Sequence, residues 1–460
     1  MSAAASTILL GKGAVAMNGR ATPRVKPPGF ENYPVTIFQC LAPGLAEHDF
    51  NAKAAFEAKF GADIGPVEIW IDSKAGSDSN NGSLNSPVRT IAEASRRPGV
   101  GRIWVKPGVY LERFDLRSSA APVAGGQRGR PMQVLAYGDP GSVIWRAPGA
   151  QPNEMTWLPN GMLYYATPPG REMAMALVFH DGGTAHALQY FPSVQGANAV
   201  ASGWTQDPST GTLFIRHENR DFSQAAESRR LEIMYNRGVS NIVYGATAYL
   251  EGIVFRGDSQ FQVLEEGVAR PSLYARDCRW QWSSYHNFHS EGADIVMQRC
   301  VSEYSLIGDG WNYYDGASGP STVLEVDCVG RFNGVPQTRT FDNQRNKQGS
   351  SGHQRSVICR VNGEYYGNYG QGVADTGNGN RTWMVGTRVG DPYSNPFIGQ
   401  FQALYVQSHS WLDTVRAGGN GSSEGLYVET GDFSSLHNCM ISGTVQDIIG
   451  LTQPYDPLAP

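Results

Sequence analysis

The 460-residue chain has little charge: 17% of its residues are Asp, Glu, Lys or Arg, against a usual ~25%. Its net charge is −5 and it has no long basic run, so nucleic acid is not an expected main partner. No stretch approaches 18 consecutive apolar residues, which argues against a helical membrane span. A secretion signal is not recognisable either. Met1 to Ala21 lacks a basic start, and its apolar run Thr7-Ile8-Leu9-Leu10 is broken by Gly11, Lys12 and Gly13. The six cysteines (Cys40, Cys278, Cys300, Cys328, Cys359, Cys439) form no C-x-x-C pair and no zinc-like cluster, and read as reduced, buried thiols. What is abundant is glycine, 55 of 460, and aromatic side chains: 10 Trp, 21 Tyr and 18 Phe. That supply can fill a large core and excludes wholesale disorder.

Residues 1–66 read as a separate N-terminal cap or attachment module, with a strand in Pro34–Cys40 and a helix over Ala46–Phe60 stopped by Gly61 and Gly65-Pro66. From Val67 the texture changes. Val67–Asp72 alternates as a strand, and the loop Gly76-Ser77-Asp78-Ser79-Asn80-Asn81-Gly82-Ser83 follows. Next come Ser86-Pro87, a short helix Thr90–Ala94, a strand Arg102–Val105, and Lys106-Pro107-Gly108-Val109-Tyr110-Leu111-Glu112. This opening resembles that of right-handed parallel β-helix proteins of the pectate-lyase-like superfamily, over about 45 residues. The resemblance implies an all-β solenoid. It leaves activity open, because that superfamily holds lyases, hydrolases, epimerases and phage tailspikes.

The remainder can be tested for stacking by itself, because a solenoid requires a strand to recur every ~20–35 residues. Markers at 253, 278, 300, 328, 361, 387, 408 and 430 are separated by 25, 22, 28, 33, 26, 21 and 22 residues. Cys278, Cys300 and Cys328 then form an inward ladder. Residues 67–146 start the β-helix and 236–450 supply its main coils. Between them, 147–235 fit badly; Trp157–Tyr165 and Trp204–Ile215 carry Asn-Gly and Thr-Gly turns, so an antiparallel β insertion is expected. The tail, 451–460, reads as an extended end segment.

On such a fold function lies on an outer face, where neighbouring coils sit ~4.8 Å apart. Measured from the markers, Glu291, Asp315, Asp342 and Asp375 lie 13, 15, 14 and 14 residues on, which predicts an acidic stripe. Two carboxyls at such spacings suit glycoside cleavage. A one-residue slip would send a side chain to the opposite face, and the alternative is that these are solvated or turn-capping acids. Asp309, between Gly308 and Gly310, and His353, after a Gly/Ser-rich run, are further catalytic candidates; a backbone-bonded turn histidine is the alternative for His353. Trp280, Trp282, Trp311, Tyr313, Tyr314, Tyr365 and Tyr366 are expected to be partly exposed and to take sugar faces, with packing between coils as the alternative.

His286 and His289 are three apart, which is ligand-like on a helix but not on an extended turn, so no metal is assigned. No cofactor is expected. A pectate-lyase-type Ca²⁺ is the alternative, drawing oxygens from Asp309, Asp315 and Glu291, with Arg299 or Arg331 as base or with the Asp72–Asn81 loop as a second place. The reading adopted is a phage tailspike-like protein in the virion tail or outside the cell. It binds a bacterial surface glycan and has residues 1–66 available to other virion proteins. A homotrimer is implied by the resemblance alone. A free polysaccharide lyase or hydrolase and a non-enzymatic surface rod are the alternatives.

Overall fold

The structure, a computed structural model, describes residues 23–390 except 43, 118–129, 147–153, 169–172, 182–183, 219, 236–240, 258, 268, 340–346 and 378. Beyond 390 it describes 402–406, 409–418, 424–428, 434–441, 444–447 and 452–454. Among these residues three long parallel sheets, of 12, 10 and 10 strands, face one another around a common core. The chain visits them in a fixed cycle, and one coil shows how. Asp294–Gln298 lies in the first sheet, Val301–Glu303 in the third and Trp311–Tyr314 in the second, before Thr322–Val326 returns to the first. Each strand pairs in parallel with its counterpart one coil away, as in Leu273↔Ile295↔Val323↔Ile358. This is a parallel β-helix.

The corner between first and third sheets turns on one left-handed residue in every coil from Gly252 to Asn438. Asp277, Arg299, Asp327 and Asn362 occupy it at φ of 55, 51, 54 and 52°. Asp and Asn tolerate that conformation better than most residues. Immediately after it come Cys278, Cys300 and Cys328, stacked and buried as expected. The pairing Val326↔Val361↔Val385↔Asp413↔His437 carries the same corner on to Gly363, Thr387, Val415 and Cys439. Three markers chosen by spacing (361, 408 and 430) therefore sit two, seven and nine residues early, whereas 387 is in register. Variable loops defeat a count but not the ladder.

Residues 23–66 lie along the outer face of the first sheet. There Phe30 packs on Trp383 and Trp411, and Phe56 on Tyr249 and Tyr274. A hairpin, Thr36–Ala42 with Leu45–Asp49, replaces the first part of the expected helix. Helix α1 (Ala52–Phe60) starts only where the Asn51 side chain accepts from the Ala54 amide. Gln298 on the solenoid clamps that start, accepting from the Ala52 amide at 2.9 Å and donating to the Phe50 carbonyl at 2.9 Å. Met1–Ala21 lies outside the described residues.

The chain leaves the solenoid after Val143–Arg146 and rejoins it at Asn241–Tyr244. Between them two small antiparallel sheets form, including the Leu158–Asn160/Leu163–Ala166 and Ser202–Gln206/Leu213–His217 pairings. Met175, Ala176, Val178 and Met234 of this insertion pack on Trp282, Leu306 and Val335 of the solenoid. Thr452–Pro454 adds a last strand to the first sheet, pairing with Ser434–Leu436; residues 455–460 lie outside the description.

Candidate functional site

Strand alternation sorts the second sheet into inward and outward rows. Ser290, Tyr313, Gly352 and Asp375 share one row, and Glu291, Tyr314, His353 and Thr376 share the next. The expected acidic stripe is therefore not one stripe. Glu291 faces solvent and Asp375 faces the core, because in the common register Asp375 aligns with Ser290, one residue before Glu291. Asp315 falls just after its strand and pairs with Arg355 at 2.7 Å. Asp342 lies outside the described residues.

The inward set makes a closed ion cluster. Arg360 grips Asp375 with two bonds of 2.8 and 2.9 Å, and its Nε lies 3.7 Å from Glu325. Glu325 also accepts from Tyr313 and Ser350, each at 2.8 Å, and from the Tyr365 hydroxyl. All six side chains are inaccessible to solvent. Asp375 is thus part of the core's internal polar pairing and no substrate reaches it. Burial pushes the Tyr313 and Tyr365 phenols well above their usual range.

Five of the seven expected sugar-binding aromatics are corrected by the same rule. Trp280, Trp311, Tyr313 and Tyr365 point inward, with Trp280 stacked on Phe255 at 6.0 Å; Trp282 lies beneath the insertion. Runs such as Tyr313-Tyr314 put one ring inside and the next outside. Only Tyr314 and Tyr366 keep an exposed edge.

The outward rows gather the remaining candidates. Asp309 sits at the end of a loop, just before Trp311–Tyr314, and is almost wholly buried. Its Oδ1 accepts from the Gln348 amide at 2.9 Å, and its Oδ2 from Ser351 at 2.8 Å and Asn312 at 2.7 Å. Burial nonetheless outweighs these donors and raises its pKa to about 6. The Asp309 amide donates to His286 Nδ1 at 2.9 Å. Asn312 is the hub. Besides Asp309, its amide nitrogen reaches His353 Nε2 at 3.0 Å, and its oxygen lies 2.9 Å from His289 Nδ1. His289 Nε2 in turn lies 2.9 Å from Glu291 Oε1. His353 Nδ1 meets the Thr376 hydroxyl at 2.9 Å, and the Tyr314 ring stacks on its imidazole at 4.3 Å.

Three histidines and two carboxylates thus meet through one asparagine, grading from buried Asp309 to Glu291, whose side chain is 50% exposed. The hydrogen bond from His289 holds the Glu291 carboxyl below the usual carboxylate range. Burial lowers the His353 pKa to about 4 and that of His286 well below normal, so both rings are neutral at pH 7. Asp309, His353 and Glu291 are among the residues expected from the sequence. Asn312, Ser351 and the role of His289 are not, although Ser351 and His289 share strands with His353 and Glu291 and Asn312 lies three residues after Asp309.

The carboxylates considered for Ca²⁺ all have partners within the protein. Asp309, Glu291 and Asp315 are each taken up by donors, as are Asp72 (amides of Lys74 and Ala75) and Asp78 (amides of Arg89 and Thr90). Among the described residues no group of three or more His, Cys, Asp or Glu side chains could hold a metal ion.

No protein-family model matches the chain, and no curated protein matches it. Among solved structures it is similar to a glycoside hydrolase at 12% identity, over 80% of this chain and 92% of that one, with a TM-score of 0.46. Pectate lyase Pel9A matches at 11% identity over 86% and 80% of the two chains, with a TM-score of 0.40. A GH136 lacto-N-biosidase from Eubacterium ramulus matches at 10% identity over 88% and 70%, with a TM-score of 0.29. Likenesses this distant say nothing of chemistry or substrate. The β-helix stands on its own strand pairing.

Proposed function

We propose that the protein binds a bacterial surface polysaccharide on the outer face of its second sheet and cleaves it there. In this reading it is a trimeric, tailspike-like component of a virion tail. The observation that carries the proposal is the graded cluster Asp309–Asn312–His289–Glu291, with Tyr314 and His353 beside it. A buried acid that holds its proton up to about pH 6 is joined by hydrogen bonds to an exposed, ionised carboxylate. Both hydrolysis and elimination of a glycosidic link require one group that gives a proton and one that takes it. Glu291 and His289 are the pair that substrate can touch. Asp309 and Asn312 position His289, and the Tyr314 ring offers an apolar surface to a sugar face.

The test is depolymerisation of bacterial capsule or lipopolysaccharide. Wild type is expected to shorten one such glycan, and Glu291→Gln to lose at least about 100-fold in rate. Unchanged cleavage by Glu291→Gln would remove the site from the account. Wild type that binds but never cleaves would leave the binding role alone. The oligomer is read from the mass in solution: three times the 49.9 kDa chain supports the spike, and a single chain argues for a free enzyme.

A further inference from the structure

The third sheet carries a feature that neither the core nor the second-sheet site uses. In five successive coils the residue that follows its strand turns left-handed. At two coils flanking the middle of the solenoid that residue is glycine, Gly257 at φ 67° and Gly367 at φ 63°. In the three coils between, it is Trp282, Tyr304 and Phe332, at φ 58, 61 and 54°. Such backbone suits glycine and strains bulky L residues. The chain therefore accepts strain in three successive coils to place large rings where glycine serves elsewhere.

These rings stack on one another. Trp282 and Tyr304 lie 4.6 Å apart at 6°, and Tyr304 and Phe332 5.5 Å apart at 23°, with Tyr366 meeting Phe332 at 5.6 Å. The stack emerges from under the insertion: Trp282 is buried, Tyr304 half-buried, and Phe332 37% exposed. A Cβ on Gly367 would come within 2.6 Å of the Phe332 ring, so that glycine is the floor on which the ring rests.

Beside the stack runs a row of arginines. Arg279 and Arg331 share Glu303, at 3.3 and 2.8 Å, and Arg331 also donates to the Tyr366 hydroxyl at 3.0 Å. Arg146 and Arg256 share Glu232 of the insertion, and Arg299 pairs with Asp277. Guanidinium groups outnumber carboxylates in this row. A cavity of about 360 Å³ opens beside them, lined by Val254 and Val301 and by Arg256, Arg279 and Arg299 with the Asp277 partner of Arg299.

We propose that this face is a second glycan site, a cleft for an acidic polysaccharide. Sugar rings lie on the Tyr304–Phe332 ledge, and their carboxylates meet the surplus arginines. Aromatic rings suit the apolar faces of pyranoses, and guanidinium suits carboxylates. The site rests on the proposed glycan-binding function but not on the cleavage chemistry of the second sheet.

Oligomers of galacturonic acid are the acidic probe and maltooligosaccharides the neutral one, with binding measured by calorimetry on the full chain. Wild type should bind the acidic probe, more weakly as salt rises, and the neutral probe at least tenfold more weakly. Arg279→Ala and Phe332→Ala should each weaken acidic binding about tenfold. Phe332→Gly should weaken it equally while leaving the melting temperature unchanged or higher, which a purely structural ring would not do. Glu291→Gln should bind this probe as wild type does, even if it no longer cleaves. Three results would overturn the proposal: no acidic binding by wild type, full binding by both Phe332 variants, or a change of oligomeric mass in them, which would make the face a contact between copies of the chain. Failure of the second-sheet site alone would appear as unaltered cleavage in Glu291→Gln, with this binding intact.

Discussion

Two polar clusters meet at the second sheet: one joins its inward Tyr313, Ser350 and Asp375 to Glu325 and Arg360 of the first sheet, and the other uses the alternate residues Asn312, Ser351 and His353. The inner one, Arg360 with Asp375 and Glu325, is sealed, and every charge in it has a charged or hydroxyl partner. The outer one, around Asp309 and Asn312, is equally well bonded at its base but ends on a half-exposed Glu291. Burial and hydrogen bonding therefore do not separate a structural cluster from a functional one. What separates them is whether the network ends at solvent. The inner cluster keeps a stretch of core polar at a cost in desolvation; the outer one keeps neutral histidines and a high-pKa acid within reach of the surface.

The largest expected effect lies inside. Arg360→Met would strand two buried carboxylates, and denaturant unfolding should show a loss of about 3–5 kcal/mol. A loss below 1 kcal/mol would mean that water or a proton already compensates the pair.

The pH dependence comes next, and two members of the outer cluster oppose one another. His353 has a lowered pKa of about 4, so the unfolded chain binds the extra proton between pH 6.5 and 4, and stability falls as pH drops through that window. Its full extent is ~3 kcal/mol. Asp309 is raised to about 6, so the folded protein holds the extra proton, and its contribution is present at low pH and lost as pH rises through 6. The two largely cancel. Asp309→Asn should therefore expose the His353 trend as a steeper acid loss of stability between pH 6.5 and 4, read from melting temperature against pH. A flat profile in that variant would show that His353 is not held neutral.

A smaller effect is expected at the ring over His353. Tyr314→Ala should cost about 1 kcal/mol and weaken glycan binding, whereas Tyr314→Phe, which keeps the stacked ring, should do little to either. Equal behaviour of the two variants would mean that the ring face is not the operative part. Smallest of all, Glu291→Gln should change stability by less than about 0.5 kcal/mol, because its side chain is half in water.

The solenoid was legible in the sequence because its cysteine ladder and strand recurrence survive variable loops. Cys278, Cys300 and Cys328 stack as read, and the short helix expected at Thr90–Ala94 is α2 (Ile91–Arg96) with Thr90 as its cap. The positions within a coil were less legible. Asp375 and Glu291 differ by one residue in offset, and with a side-chain period of two that is the whole difference between core and solvent. The aromatic runs failed likewise: Tyr313 and Tyr365 are core residues, and Tyr314 and Tyr366 are not. Asn312 could not be found by residue type, since an amide gains its role only from the four groups, Asp309, His289, Ser351 and His353, that the folded coils bring around it. The left-handed aromatics were invisible for a further reason, because nothing in the sequence marks the conformation of Trp282, Tyr304 or Phe332.

The most direct test sets the two clusters side by side: glycan cleavage per folded molecule in Glu291→Gln and in Asp375→Asn, with the folded fraction counted separately. The account predicts that Glu291→Gln is fully folded and inactive, while Asp375→Asn is less stable but cleaves at the wild-type rate once folded. The reverse pattern, an active Glu291→Gln beside a folded but inactive Asp375→Asn, would contradict it.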